Sequence, residues 1–273
     1  MNSRERLTAA INHRQPDRVP LDLGGSAVTG MHVASVALLR QALGLDAPGT
    51  PVKVVEPYQM LGEIAPDLIA ALGVDVAPLP GPRTLFGFRN ENWKPWTTFD
   101  GTPVLVPESF NTELEPDGDL LMYPEGDRSA KPSGRMPSGG FYFDTIVRQP
   151  PLVEEALDPA DNLEEFGPIS DADLHHFVSH AERIYNETEL AILASFGGTA
   201  FGDIALVPAP WLKDPRGIRD IAEWYMSTAS RRDYVWKIFE KQCELGLANL
   251  ARLHDAIGNK VAAVFITGTD FGT

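Results

Sequence analysis

The sequence predicts an α/β protein whose parallel strands are joined by helical crossovers. Three observations carry that expectation. Short apolar runs at residues 52–55, 190–195 and 261–266 have the length and composition of buried strands. Each run leads into turn-forming or small residues: Glu56-Pro57-Tyr58, Phe196-Gly197-Gly198-Thr199 and Gly268-Thr269-Asp270-Phe271. Helical patterns lie between them, the rhythm of βα units. Architectures of this kind collect their chemistry at the C-terminal ends of strands.

Taken in order, Asn2-Ser3-Arg4-Glu5 has capping-box spacing and opens a first helix. Leu7, Ala10 and Ile11 make its short apolar face, and Pro16 ends it. Residues 18–23 alternate apolar and polar, as a strand does, and run into Gly24-Gly25. Residues 31–43 are helical in pattern and close at Gly44. The strand at 52–55 follows, then a helix at 66–72 with Pro66 at its start and Gly73 after its end. Val74-Asp75-Val76 reads as a further strand.

Residues 83–140 change character, being rich in Pro, Gly, Asp and Trp. Residues 112–115 and 120–123 flank Pro116-Asp117-Gly118-Asp119, a hairpin signature. This stretch is expected as an inserted excursion of small antiparallel strands, with a mobile or lid-like end at 131–140. From Asp171, read as an N-cap, Leu174, Phe177, Val178, Ala181, Ile184 and Tyr185 form one helical stripe. Helices are expected at 218–229 and 233–257, the latter stopped by Gly258. Trp236, Phe239, Cys243, Leu247, Leu250 and Ile257 fall on one side of it, so they are expected to be its packed face.

The 273 residues suit one large α/β domain, spanning 1–273 with the excursion inside it. The net charge of −15 repels phosphate backbones and anionic lipid, so nucleic acid and membrane surfaces are poor partner expectations. One cysteine, Cys243, excludes a disulfide framework and a cysteine-cluster metal site. No apolar run approaches the roughly 20 residues of a membrane span. A cytoplasmic protein is expected.

The strand-end rule selects Asp22, Glu56, Tyr58, Asp75, Ser195, Gly197, Gly198 and Asp270. Asp270 suits a general acid/base at a strand end, or else a cap on the following turn. Gly197-Gly198 either lets backbone approach a ligand or supplies a tight turn. The same two roles are open to Asp22 before Gly24-Gly25, and Asp75 either lines a pocket or caps a turn. His176 and His180 have chelating spacing but are placed on the solvent face. Trp211, Trp224 and Tyr225 either wall a flat ligand or pack in the core.

Arg4-Glu5-Arg6-Leu7, with Asn12-His13-Arg14-Gln15 and Pro16-Asp17-Arg18-Val19-Pro20, resembles the opening of the uroporphyrinogen decarboxylase superfamily. Trp211-Leu212-Lys213-Asp214-Pro215-Arg216-Gly217 and Gly268-Thr269-Asp270-Phe271-Gly272-Thr273 look like segments of its methyltransferase-like branch. The resemblance implies a (β/α)₈ TIM-type barrel, commonly dimeric, with its pocket at the strand C-termini. The five or so strand candidates fall short of eight, so a barrel truncated after about five strands is expected.

The resemblance also divides by chemistry. Decarboxylases of porphyrin biosynthesis hold substrate carboxylates with arginines after the first strand, where this chain reads Leu23-Gly24-Gly25-Ser26. The other branch moves a methyl group between a methylated small molecule or corrinoid protein and a thiol or other acceptor. It implies zinc held by a His-x-Cys pair and another Cys, and a corrinoid (cobalamin) partner. Those zinc ligands are expected downstream of Thr273, so none is assigned in this chain. Methyl transfer is the leading expectation, with Asp270 and Asp75 catalytic and Asp22, Glu56, Tyr58, Ser195, Gly197 and Gly198 binding a small-molecule substrate. Porphyrinogen-type decarboxylation is the alternative, and an inactive fragment or binding protein the second.

Overall fold

A computed structural model describes residues 1–196 and 200–269. It is a mixed α/β structure whose strands form three sheets. The first helix, α1 (Ser3–Ile11), begins at Asn2 with the expected reciprocal capping box. Its inward residue is Arg6, not Leu7 or Ala10, and Ile11 is half-exposed. Residues 18–23 do not form a strand. Among the described residues one backbone–backbone hydrogen bond reaches it, from the Asp75 N–H to the Leu21 carbonyl, and Pro20 has no N–H with which to extend a ladder.

Helix α2 (Val33–Ala42) buries Val33, Ala34, Val36 and Ala37 against β1 (Val52–Glu56) and β2 (Leu61–Gly62). Helix α3 (Pro66–Leu72) has Pro66 in its first turn and ends on Gly73 at φ 68°, as the sequence reads. Strand β3 (Val76–Leu79) starts one residue after Asp75, which therefore lies at the N-terminal edge of this strand. The strand expected at 74–76 begins later, at Val76; the Asp75 N–H donates to the Leu21 carbonyl instead of to a ladder partner.

The excursion contains β4 (Lys94–Thr97), β5 (Pro103–Val106), β6 (Thr112–Leu114), β7 (Leu120–Met122), β8 (Gly134–Met136) and β9 (Asp144–Thr145). The β6–β7 hairpin forms in the expected register, with Thr112 opposite Met122. Strand β8 occupies part of the 131–140 segment expected to be mobile, pairing with both β7 and β9. The excursion is also less separate than expected. Strand β5 runs parallel to β1, giving the sheet order β2-β1-β5-β4. Val54, Val104, Val106, Phe86, Phe110 and Phe143 thereby share one core.

Helix α4 (Asp171–Glu187) is capped by the Ser170 hydroxyl, one residue before the expected Asp171. Phe177 and Ala181 are buried, with Leu174, Val178 and Ile184 packed around them. Strand β10 (Ala191–Ala194) pairs in parallel with β3 on one side and β11 (Val261–Val264) on the other. Between β10 and β11 lie α5 (Ile221–Ser230) and α6 (Arg232–Ile257). No described helix is long and apolar enough to cross a membrane.

Helix α6 departs from expectation in which face it buries. Val235, Ile238, Gln242, Gly246, Asn249, Leu253 and Ile257 point inward. Trp236, Cys243, Leu247 and Leu250 point out, Trp236 being 70% exposed. Two periodic stripes lie side by side on this helix. The inner one includes the buried Gly246 and Asn249, whose amide donates to the Gly167 carbonyl and accepts from the Ile169 N–H.

Candidate functional site

The sequence-selected pair Glu56 and Tyr58 sits at the end of β1. At the end of β1, the Glu56 carboxylate accepts from the backbone N–H groups of Tyr58 (3.0 Å) and Gln59 (2.7 Å). These two donors fold the chain into a turn that aims Tyr58 inward. Burial pushes the Glu56 carboxyl up to about 7, against the pull of both N–H donors. Burial also pushes the Tyr58 phenol up to about 12, helped by the negative charges of Asp144, Glu56 and Asp203. Those charges come from separate parts of the chain: the end of β1, β9 and the segment after β10.

Two further contacts fix this arrangement. The Phe143 N–H donates to the Tyr58 carbonyl at 2.8 Å, tying β9 to the turn after β1. Asp203 accepts from the Thr267 hydroxyl (2.5 Å) and the Ala205 N–H (2.9 Å), tying the segment after β10 to the segment after β11. Gly202 makes that crossing close. Its φ is 76°, and a Cβ there would collide with the Trp224 ring and the Thr269 hydroxyl. Gly202→Ala is expected to cost roughly 1–3 kcal/mol, from the left-handed backbone and the steric clash. Its urea-unfolding midpoint checks this, and Ala at wild-type stability would show that the loop relaxes freely.

Residues 200–220 have little regular structure, so side chains satisfy their backbone. Arg148 donates to the carbonyls of Ala209 (2.7 Å), Lys213 (3.2 Å) and Leu212. Burial lowers its guanidinium to about 10. Asn162 brackets Ile218, donating to its carbonyl and accepting from its N–H, both at 2.8 Å. Arg219, 1% exposed, pairs with Glu165 through both terminal nitrogens, at 2.8 and 3.0 Å.

The other sequence-selected residues fall elsewhere. Asp22 accepts from the Gly25 N–H at 2.9 Å and caps its own turn. Asp75 is fully buried and takes five hydrogen bonds, from Ser3, Arg6, Arg18 (two) and the Leu21 N–H. Burial pushes its carboxyl up, but the combined donors hold it below the usual range. Every direction of approach to Asp75 is taken by α1 and the 18–21 segment, at the opposite end of β3 from its C-terminus. Ser195 follows β10 and donates its N–H to the Leu79 carbonyl at 3.1 Å. Gly197, Gly198 and Asp270 lie outside the described residues.

His176 and His180 are half-buried, not solvent-facing, with ring centroids 4.1 Å apart. His176 Nε2 lies 3.3 Å from the Pro80 carbonyl just after β3, and burial with the neighbouring His180 lowers its imidazole. Trp224 is core, its Nε1–H donating to the Thr269 hydroxyl at 3.2 Å. Asp144 and Asp203 were not among the sequence candidates. Asp203 carried a readable signal, an acidic residue after a glycine in the loop beyond an apolar strand. Asp144 carried none, because only the path of the excursion brings it back to β1.

Among the described residues no three His, Cys, Asp or Glu side chains form a group that could hold a metal ion. The sole cysteine is exposed on α6. The described residues therefore do not fit a thiolate zinc centre. Comparison with known proteins finds no matching family model, no matching curated protein and no matching solved structure.

Proposed function

We propose that this chain is a small-molecule enzyme of the uroporphyrinogen decarboxylase type that removes a methyl group from a methylated ether or amine. The architecture proposed for it is the (β/α)₈ barrel, of which β3, β10 and β11 would be neighbouring parallel staves. The motifs at residues 4–20 and 211–217 and at the C-terminus support that relationship. The observation that carries the chemistry is Glu56, a carboxyl raised to about 7 at a strand end beside Tyr58.

Demethylation forms a bond from the methyl carbon to the acceptor's electron pair and breaks the carbon–heteroatom bond. The heteroatom keeps that bond's electrons and needs a proton to leave as an alcohol or amine. A carboxyl that is half protonated at neutral pH is matched to this task. Glu56 donates the proton, and the neighbouring negative charges keep Tyr58 in its protonated form as a second hydrogen-bond donor. The acceptor is a thiol or a corrinoid protein. Asp144 and Asp203 make the surroundings anionic, which favours a neutral or cationic methyl donor. A substrate bearing many carboxylates, as porphyrinogen decarboxylation requires, would be repelled by them.

Glu56→Gln tests this reading. Methyl transfer from a panel of methoxyarenes and methylated amines to a reduced corrinoid, followed by its absorbance, should fall at least about 100-fold in the variant. The wild-type rate should decline as pH rises above about 7, where Glu56 loses its proton. Activity equal to wild type in Glu56→Gln would exclude Glu56 as the acid.

A further inference from the structure

Gln242 lies on the buried face of α6, 3% exposed, and its Oε1 has no hydrogen-bond partner among the described residues. A buried carbonyl oxygen without a donor is costly, so a bare one needs an explanation. Gln242 lines a cavity of about 270 Å³ that opens to solvent between α5, α6 and the 162–166 and 200–207 segments. That volume falls below the roughly 300–1,000 Å³ of pockets that hold drug-sized molecules, so an occupant has only a few heavy atoms.

The charged groups lining this cavity offer acceptors. Asp203 takes one hydrogen bond at each carboxylate oxygen, from the Ala205 N–H at 2.9 Å and the Thr267 hydroxyl at 2.5 Å, and each oxygen keeps a further lone pair. Glu165 likewise takes one from Arg219 at each oxygen. Arg219, the cation in the wall, has no N–H to spare. All five reach the Glu164 and Glu165 carboxylates or the carbonyls of Arg216, Asp161 and Val207. An anion would therefore find no free charged donor here. Arg219 and Glu165 cancel, which leaves the negative charge of Asp203. The Trp224 and Phe166 rings complete the lining, and aromatic rings attract a cation while sheltering its alkyl part.

We propose that this cavity binds a small primary ammonium ion, of which methylammonium is the simplest alkyl case. Its three N–H groups satisfy Gln242 Oε1, Asp203 and Glu165, and its methyl group lies among the apolar walls. A quaternary ammonium has no N–H and would leave Gln242 bare. A potassium ion has no apolar part to match the rings. Such binding does not depend on methyl transfer, and a fully active Glu56→Gln variant would leave it untouched.

Titration of the 273-residue chain with methylammonium chloride at constant ionic strength, read from the Trp224 indole N–H in nitrogen–proton correlation spectra, tests the site. A saturable shift is expected with a dissociation constant of about 1–10 mM, because two heavy atoms set a low ceiling on affinity. Gln242→Leu removes the bare oxygen and stays compatible with burial. It should raise that constant at least about tenfold while its urea midpoint stays at or above wild type. Asp203→Asn, which keeps the shape and removes the charge, should weaken binding comparably. Tetramethylammonium and potassium chloride should leave the indole signal where it is. No saturable shift up to about 100 mM methylammonium, tenfold beyond the expected range, would overturn the proposal. So would an unchanged constant in Gln242→Leu, or an equal response to tetramethylammonium or potassium.

Discussion

Asp75→Ala is expected to destabilise the protein by about 3–5 kcal/mol, the usual cost of stranding a buried charge. The carboxylate is wholly buried and holds Arg6 at 2.6 Å and Arg18 at 2.7 Å. Without it, Arg6 keeps Asp17 at 2.7 Å but loses its interior partner, and the Ser3 hydroxyl and Leu21 N–H lose their acceptor. Urea unfolding monitored by circular dichroism measures the loss. Arg18→Ala should cost less than about 1 kcal/mol, because that side chain is 44% exposed and screened by water. A small effect at Asp75 would show that α1 and the 18–21 segment are held by other contacts. The pH dependence has a defined sign. Asp75 titrates below the usual carboxylate range, so its contribution is present above the unfolded value and is lost as pH falls through the folded one. Glu56 acts oppositely: its protonated form is favoured by folding, so that contribution fades as pH rises through about 7.

Arg219→Met is expected to be comparably severe, again about 3–5 kcal/mol. Arg219 bridges Glu165 and Glu164 and also donates to the carbonyls of Arg216 and Asp161. Its loss strands the Glu165 carboxylate, whose side chain is 5% exposed, and leaves the Arg216 and Asp161 carbonyls without that donor. Adding Glu165→Leu should recover part of the stability, since an apolar pair of similar volume removes the stranded charge. Failure of the double variant to recover any would mean that the backbone carbonyls, rather than the ion pair, carry the effect.

Local signals in the chain were read most accurately where neighbouring residues decide the outcome. The Asn2–Glu5 capping box, Pro66 and Gly73 around α3, and the turn between β6 and β7 all formed as read. Each depends on hydrogen bonds and backbone angles within a few residues. Residues 18–23 were misread because alternation resembles a strand whether or not a partner lies alongside. Helix α6 was misread for a related reason. It carries two apolar or small-residue stripes, and periodicity alone does not rank them.

The site divides in the same way. Glu56 and Tyr58 were legible because they follow an apolar strand directly, and strand ends gather functional groups in parallel α/β architectures. Asp75 obeyed the same pattern in sequence but lies before its strand, where α1 and Arg18 enclose it. The charges of Asp144 and Asp203 reach Tyr58 through the fold alone. They stand 88 and 147 residues after Glu56 in the chain.

The sequence by itself determined where the main helices lie, the caps of α1 and α3, the α/β class and the net negative charge. These follow from spacing, turn chemistry and charge, which act over a few residues or over the chain as a whole. Only the tertiary structure decided which end of β3 Asp75 occupies, which stripe of α6 faces the core, and which distant carboxylates act on the Tyr58 phenol. Those outcomes depend on burial and on contacts between distant segments. A carboxyl titrates near 7 only where packing removes water from it, and no local pattern records that removal.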